Sequence, residues 1–187
     1  LADIVVVENT SGSITVRVVN REDVDVRGRS GDGPIQSEDI EVERRPAAGL
    51  IVRPASESGS TIDLELEVPY QTSLGLTTTT GKITVEGMPA ALDVETESGD
   101  LELALPWYSS YLDVLAEKPP GELRIPDHLE RKRKKRGLQL KQHRRVGLEY
   151  GGYSDVLVRT QSSRVVELRE IPIPEDSPIK LHWQGAA

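Results

Sequence analysis

One phrase recurs along this chain and limits what it can fold into. Ser11-Gly12-Ser13-Ile14-Thr15-Val16-Arg17 returns as Thr80-Gly81-Lys82-Ile83-Thr84-Val85-Glu86 and as Ser98-Gly99-Asp100-Leu101-Glu102-Leu103-Ala104. A looser copy is Pro120-Gly121-Glu122-Leu123-Arg124-Ile125-Pro126. A small residue and a glycine make a corner, and an alternating apolar/polar strand follows. Gly59, Gly81, Gly99 and Gly121 are spaced 22, 18 and 22 residues apart. A recurrence near twenty residues marks one supersecondary unit stacked on copies of itself. The reading is an all-β solenoid, a β-helix of short alternating strands with rungs of roughly 18–22 residues.

Period-two alternation carries the rest of the chain. Ile62, Leu64, Leu66 and Val68 interleave with Asp63, Glu65 and Glu67; Leu92, Val94 and Thr96 interleave with Asp93, Glu95 and Glu97. Similar strands are expected at Val24–Val26, Ile40–Val42, Leu74–Leu76, Ile83–Val85, Leu101–Leu105, Leu112–Val114, Val156–Val158 and Val165–Leu168. Each puts one face inward and leaves the other polar. Strands of this length and spacing also suit a β-sandwich, which stands as the alternative. The chain reads as one domain over residues 1–187. A basic insertion loop is expected near 127–145, and a Pro-interrupted cap near 171–187 over the final rung.

Composition narrows the partners. There is no Phe and aromatics are 4%, so the core must be thin layers of Val, Ile, Leu and Ala. There is no Cys, which removes disulfides and thiol chemistry. Net charge is −8, and residues 131–145 hold nine Lys/Arg and no Asp/Glu. The remainder therefore carries 14 − 31 = −17. A body that acidic disfavours nucleic acid as main partner, and anionic membranes too. No apolar run approaches the roughly 20 residues of a transmembrane segment. The chain opens on Leu1 and not Met, so its native N-terminus, where a signal or anchor would sit, is expected to be absent.

Residues 78–103, from Thr78-Thr79-Thr80-Gly81-Lys82-Ile83 to Ser98-Gly99-Asp100-Leu101-Glu102-Leu103, resemble a bacterial adhesin-like family of unknown function. That family repeats T-x-S-G-D-I-x-V-x-G phrases. The likeness is best over about 58–126 and extends from residue 1 to about 170. It implies a β-helix with a single sheet per face and an extracytoplasmic setting, in the cell envelope or secreted. It brings no catalytic motif to transfer. The basic run at 131–136 departs from the family's pattern.

Each remaining constellation has a plainer reading beside the functional one. Ser98-Gly99-Asp100 resembles calcium β-roll turns, but Lys82 and Ser13 stand where further carboxylates would be needed. A glycine corner capped by Ser or Asp is the simpler account. The acidic rows could supply the carboxylate pair of a glycosidase; a solvated face interleaved with Lys and Arg is the simpler account. His128, His143 and His182 are scattered, with neither metal nor catalytic spacing. No phosphate or dinucleotide fingerprint occurs. Arg131, Lys132, Arg133, Lys134, Lys135 and Arg136 form a possible polyanion contact, otherwise a solvated loop. Trp107, Tyr108 and Tyr111 could stack on sugars, otherwise they cover an edge. No catalytic, metal or cofactor residue is assigned. The expected function is a non-enzymatic, adhesin-like structural or binding module facing an unknown surface ligand, a polysaccharide or a protein. A carbohydrate-active β-helix enzyme and a cytoplasmic regulatory scaffold are the alternatives.

Overall fold

A computed structural model describes residues 4–31, 33–55, 61–70, 72–106, 111–127, 129–133, 138–143, 147–148, 155–176 and 181–182. Among the described residues the chain is all-β, with one 3-10 turn at Ser37–Asp39. The first strands are β1 (Ile4–Asn9), β2 (Ile14–Val19), β3 (Asp25–Ser30), β4 (Ile40–Arg45), β5 (Gly49–Pro54) and β6 (Ile62–Pro69). The middle strands are β7 (Ser73–Thr78), β8 (Ile83–Glu86), β9 (Ala91–Thr96), β10 (Leu101–Leu105), β11 (Tyr111–Ala116) and β12 (Glu122–Arg124). Last come β13 (Glu130–Arg133), β14 (Leu138–His143), β15 (Gly147–Leu148), β16 (Asp155–Thr160), β17 (Val165–Glu170) and β18 (Leu181–His182).

Two sheets hold nearly all of them. One runs β13-β14-β11-β16-β9-β7-β1-β5-β4, the other β12-β17-β10-β8-β2-β6-β3; β15 and β18 pair apart. The alternation read from the sequence is what places the core between the sheets. Val5, Val7, Leu74, Leu76, Leu92, Val94, Leu112, Val114, Val156 and Val158 face inward from the first sheet. Ile14, Val16, Leu64, Leu66, Ile83, Val85, Leu101, Leu103, Val166 and Leu168 meet them from the second. A one-residue slip of any strand would turn its apolar set outward, so the burial pattern fixes the register. The aliphatic, Phe-free composition becomes two thin layers of such side chains. As two facing sheets over one core, the architecture fits a β-sandwich as well as a β-helix.

Consecutive strands form ranks that cross from one sheet to the other: β1–β2, β5–β6, β7–β8, β9–β10, β11–β12 and β16–β17. Within each sheet these strands pair in parallel. Their spatial order departs from the sequence order that a simple repeat predicts. The order is β5–β6, β1–β2, β7–β8, β9–β10, β16–β17, β11–β12. The first rank lies between the second and third, and the last lies inside its predecessor. Spacing along the chain carries no information about which rank lies beside which; long-range corner contacts decide it.

Antiparallel strands finish both ends. At one end β3 pairs with β6 and β4 with β5. Ile35 and Ile40 close the core there, tight against Gly28, whose Cβ would sit 2.5 Å from Ile40 Cδ1. At the other end β14 pairs with β11, and β13 with β14. This corrects the expected basic loop at 127–145. Residues 130–133 and 138–143 are strands, because antiparallel pairing satisfies the backbone of a sheet edge whatever the charge of the side chains.

Residues 171–176, the first described part of the expected cap, run along the ends of the second sheet's strands. Ile171 N–H donates to Leu105 O (3.2 Å), and Asn20 Nδ2 donates to Asp176 O (3.4 Å). Tyr70 OH donates to Asp176 Oδ1 at 3.0 Å. This segment therefore straps β17 to the far ends of β2 and β6. Partial burial, and then the Asp176 hydrogen bond and charge, push the Tyr70 phenol up to about 12. Its folded pKa lies above the unfolded value near 10, so the strap's contribution is complete below about pH 10. It is lost as pH rises through about 12. Asp176→Asn should lower the Tyr70 midpoint in a 295 nm titration without returning it to the free value, since burial remains.

Candidate functional site

The site is built from the corner phrase upward. Asn9, Thr78, Thr96 and Thr160 end β1, β7, β9 and β16 and stand beside one another in register. All four are buried. Each threonine Oγ1 accepts the backbone N–H three residues on: Gly81 at 3.1 Å, Gly99 at 2.8 Å and Ser163 at 3.2 Å. Asn9 Nδ2 instead donates across ranks to Ile62 O at 2.8 Å. These bonds satisfy donors that the turn removes from the sheet ladder.

The glycines follow from close approach. A Cβ on Gly12 would lie 1.8 Å from Ile62 O, one on Gly81 1.9 Å from Gly12 O, and one on Gly99 2.0 Å from Gly81 O. Each corner rests on the carbonyl of the one before it. It is close approach and not a left-handed backbone that calls for glycine at these three corners: among the described residues positive φ occurs at Gly33, Gly49 and Gly87, and at Ala47. Ser163 occupies the next glycine position, and its hydroxyl donates to Gly99 O. The pattern Asn/Thr-x-x-Gly/Ser was present in the sequence as Asn9…Gly12, Thr78…Gly81, Thr96…Gly99 and Thr160…Ser163. The T-x-S-G phrase already held the threonine three places before the glycine, but nothing in the sequence assigned it a role; the folded corner shows it as the acceptor of the turn's N–H.

On the solvent side of this corner lies a groove of about 250 Å³. One wall is Thr77, Glu95, Arg159 and Leu115, the outward residues just before the corner on β7, β9, β16 and β11. The other is Thr79, Glu97, Gln161 and Glu117, just after it. Backbone bonds hold this second wall in line: Ser98 N to Thr79 O, Ser162 N to Glu97 O and Lys118 N to Gln161 O. Arg159 Nη2 is 3.1 Å from Asp93 and 3.5 Å from Glu95. Glu97 and Glu117 are exposed, and their carboxylates have no partner among the described residues. The groove thus crosses four ranks, presenting threonines on the first, two carboxylates on the second, Arg159 and Gln161 on the third, and Leu115 and Glu117 on the fourth.

The other sequence candidates fall elsewhere. Asp100 accepts Arg164 N (3.2 Å), Val165 N (3.0 Å) and Arg164 Nη2 (3.2 Å), so it ties one rank to the next. Asp63 accepts Ser13 N and Oγ, both at 2.7 Å. The acidic rows are interleaved with bases: Arg21 and Arg29 meet Glu67 and Glu65, Lys82 meets Glu102, and Arg124 meets Glu167. Among the described residues no three His, Cys, Asp or Glu gather closely enough to hold a metal ion. Arg131, Lys132 and Arg133 belong to β13, while Lys134, Lys135 and Arg136 lie outside the described residues. Tyr111 opens β11; Trp107, Tyr108 and His128 lie outside the described residues. His143 ends β14 and His182 ends β18, in different sheets.

No family model matches this chain, and no curated protein matches it. Its fold is similar to that of a solved structure described as a "putative cell adhesion protein" from Clostridium sporogenes. The TM-score is 0.50 at 10% sequence identity, over 90% of this chain and 93% of the other. Among the described residues no helix is long and apolar enough to cross a membrane.

Proposed function

We propose that this chain is a non-enzymatic, adhesin-like binding module of the bacterial envelope or exterior, built as a β-helix of two-strand ranks with the first and last ranks intercalated. The observation that carries this reading is where the chemistry-bearing residues of the repeat are used. The corner threonines close their own corners, and the corner Asn, Gly, Ser and Asp residues hold one rank on the next. Beside these corners, Glu97 and Glu117 line the groove without such duty. That layout suits contact with an extended surface ligand better than attack on a single bond, which needs groups converging on one point. The fold likeness to a protein described in terms of adhesion supports the setting.

The test is binding of labelled protein to whole bacterial cells and purified wall polysaccharides, with product analysis in parallel. Saturable binding without turnover is expected. Turnover abolished by one Asp or Glu substitution would replace this reading with the carbohydrate-active enzyme.

The basic strand β13 supports a second contact, to polyanions. Arg131→Ser, Lys132→Ser and Arg133→Ser together should abolish retention on heparin while leaving the melting temperature nearly unchanged. Exposed ion pairs are worth only about 0–1 kcal/mol each. Retention by the parent should fall steeply with salt, since counterion release would drive it.

A further inference from the structure

We infer that this chain forms a twofold dimer through β3, the edge strand of its second sheet, with a second copy of itself as the partner. Dimerisation here is independent of what the module binds. β3 pairs with β6 on one side and with no described strand on the other. Its free side is a row of backbone groups that another strand can complete. The side chains choose that strand. Asp23-Val24-Asp25-Val26-Arg27-Gly28-Arg29 is acidic before Val26 and basic after it. Antiparallel pairing about Val26 sets Asp25 opposite the partner's Arg27. It sets Asp23, just before the strand, opposite the partner's Arg29. A twofold axis normal to the sheet repeats both contacts, which is what an isologous interface requires. Opposite charges directly across an antiparallel pair stabilise it, whereas an edge of one sign would repel its own copy. The parity is also right. Asp25 and Arg27 lie on the outer face, and Val26, beside Leu66, turns inward to meet its own copy and extend the core layer. The charges are accessible. Asp23 is exposed and has no partner among the described residues. The side chains of Arg27 and Arg29 are 62% and 72% exposed, although they meet Asp25 and Glu65 of their own chain, and Asp25 also meets Arg21. A second observation at the same end points the same way. Val42 of β4 is 53% exposed, yet its register partner Val52 is fully buried, so the core side of the first sheet is uncovered there too. The axis sets β4 antiparallel to its own copy as well, and β4 also runs from acidic, Glu41 and Glu43, to basic, Arg44 and Arg45.

The test is sedimentation velocity of the full chain across a concentration series. A reversible monomer–dimer equilibrium is expected, and it should weaken as salt is added. Asp23→Arg with Asp25→Arg makes the edge basic, and Arg27→Glu with Arg29→Glu makes it acidic. Each variant alone should dimerise about tenfold more weakly than the parent, because like charges then face each other. An equimolar mixture of the two should restore the dimer, because a basic edge then meets an acidic one. Melting temperatures near the parent's verify both folds. If Asp25 proves necessary for folding, Asp23→Arg alone should still weaken the dimer, since it removes no partner among the described residues. A parent that stays monomeric at every concentration, dimerisation indifferent to the charge changes, or a mixture no tighter than either variant would overturn the inference. So would a ladder of larger species, which marks head-to-tail contact and not a twofold.

Discussion

Gly81→Ala should cost about 3 kcal/mol or more, while Gly31→Ala should leave stability within about 0.5 kcal/mol of the parent or raise it slightly. The two changes are chemically identical. A methyl at position 81 would arrive 1.9 Å from the carbonyl oxygen of Gly12, and backbone cannot rotate away as a side chain can. At position 31 it would meet nothing within 4 Å. For a chain of this size the first change corresponds to a fall in Tm of about 6–12 °C. Thermal melts of the two variants beside the parent make the comparison. Equal melts would mean the corners are not stacked carbonyl on glycine, and the groove outside them would lose its basis.

Val94→Asp should cost about 3–5 kcal/mol, because it places an unpaired charge among aliphatic side chains with no water and no base to answer it. Val94 is fully buried, between Leu76 and Val158, its register neighbours on β7 and β16. Glu95, one residue on, is exposed, and Glu95→Val should be nearly neutral in chemical denaturation. A one-residue error in register would reverse the pair, so the two midpoints together test the facing of β9.

Alternation made much of the fold legible. The strand from Ile62 to Val68 and those around Val94 and Leu103 are where period two puts them, because one side of each is core and the other is water. β1 and β5 escaped that reading. Ile4-Val5-Val6-Val7 and Leu50-Ile51-Val52 are continuous apolar runs, since Val6 and Ile51 stand together on the outer side of the first sheet. The rank order was not legible either. It is decided by contacts such as Gly81 on Gly12 and Gly99 on Gly81, and nothing near Gly81 in sequence names Gly12 as its support. The basic run was taken for a loop because charge density was read as a conformational signal. Residues 131–133 lie in an edge strand, where backbone pairing with β14 decides. The groove was hidden because its walls come from four strands whose adjacency only the folded chain creates.

That adjacency is the claim on which the candidate site depends, and the absence of cysteine makes it directly measurable. Glu95 and Arg159 are register partners on adjacent strands, about 4.8 Å apart at Cα. Leu115 is Arg159's partner on the far side, twice that distance from Glu95. A disulfide cannot span Cα atoms more than about 7 Å apart. The paired substitutions Glu95→Cys with Arg159→Cys should therefore close a disulfide under mild oxidation, read by mass spectrometry. Glu95→Cys with Leu115→Cys should stay reduced. Crosslinking of the second pair and not the first would place β9 beside β11, remove β16 from between them, and contradict both the rank order and the groove.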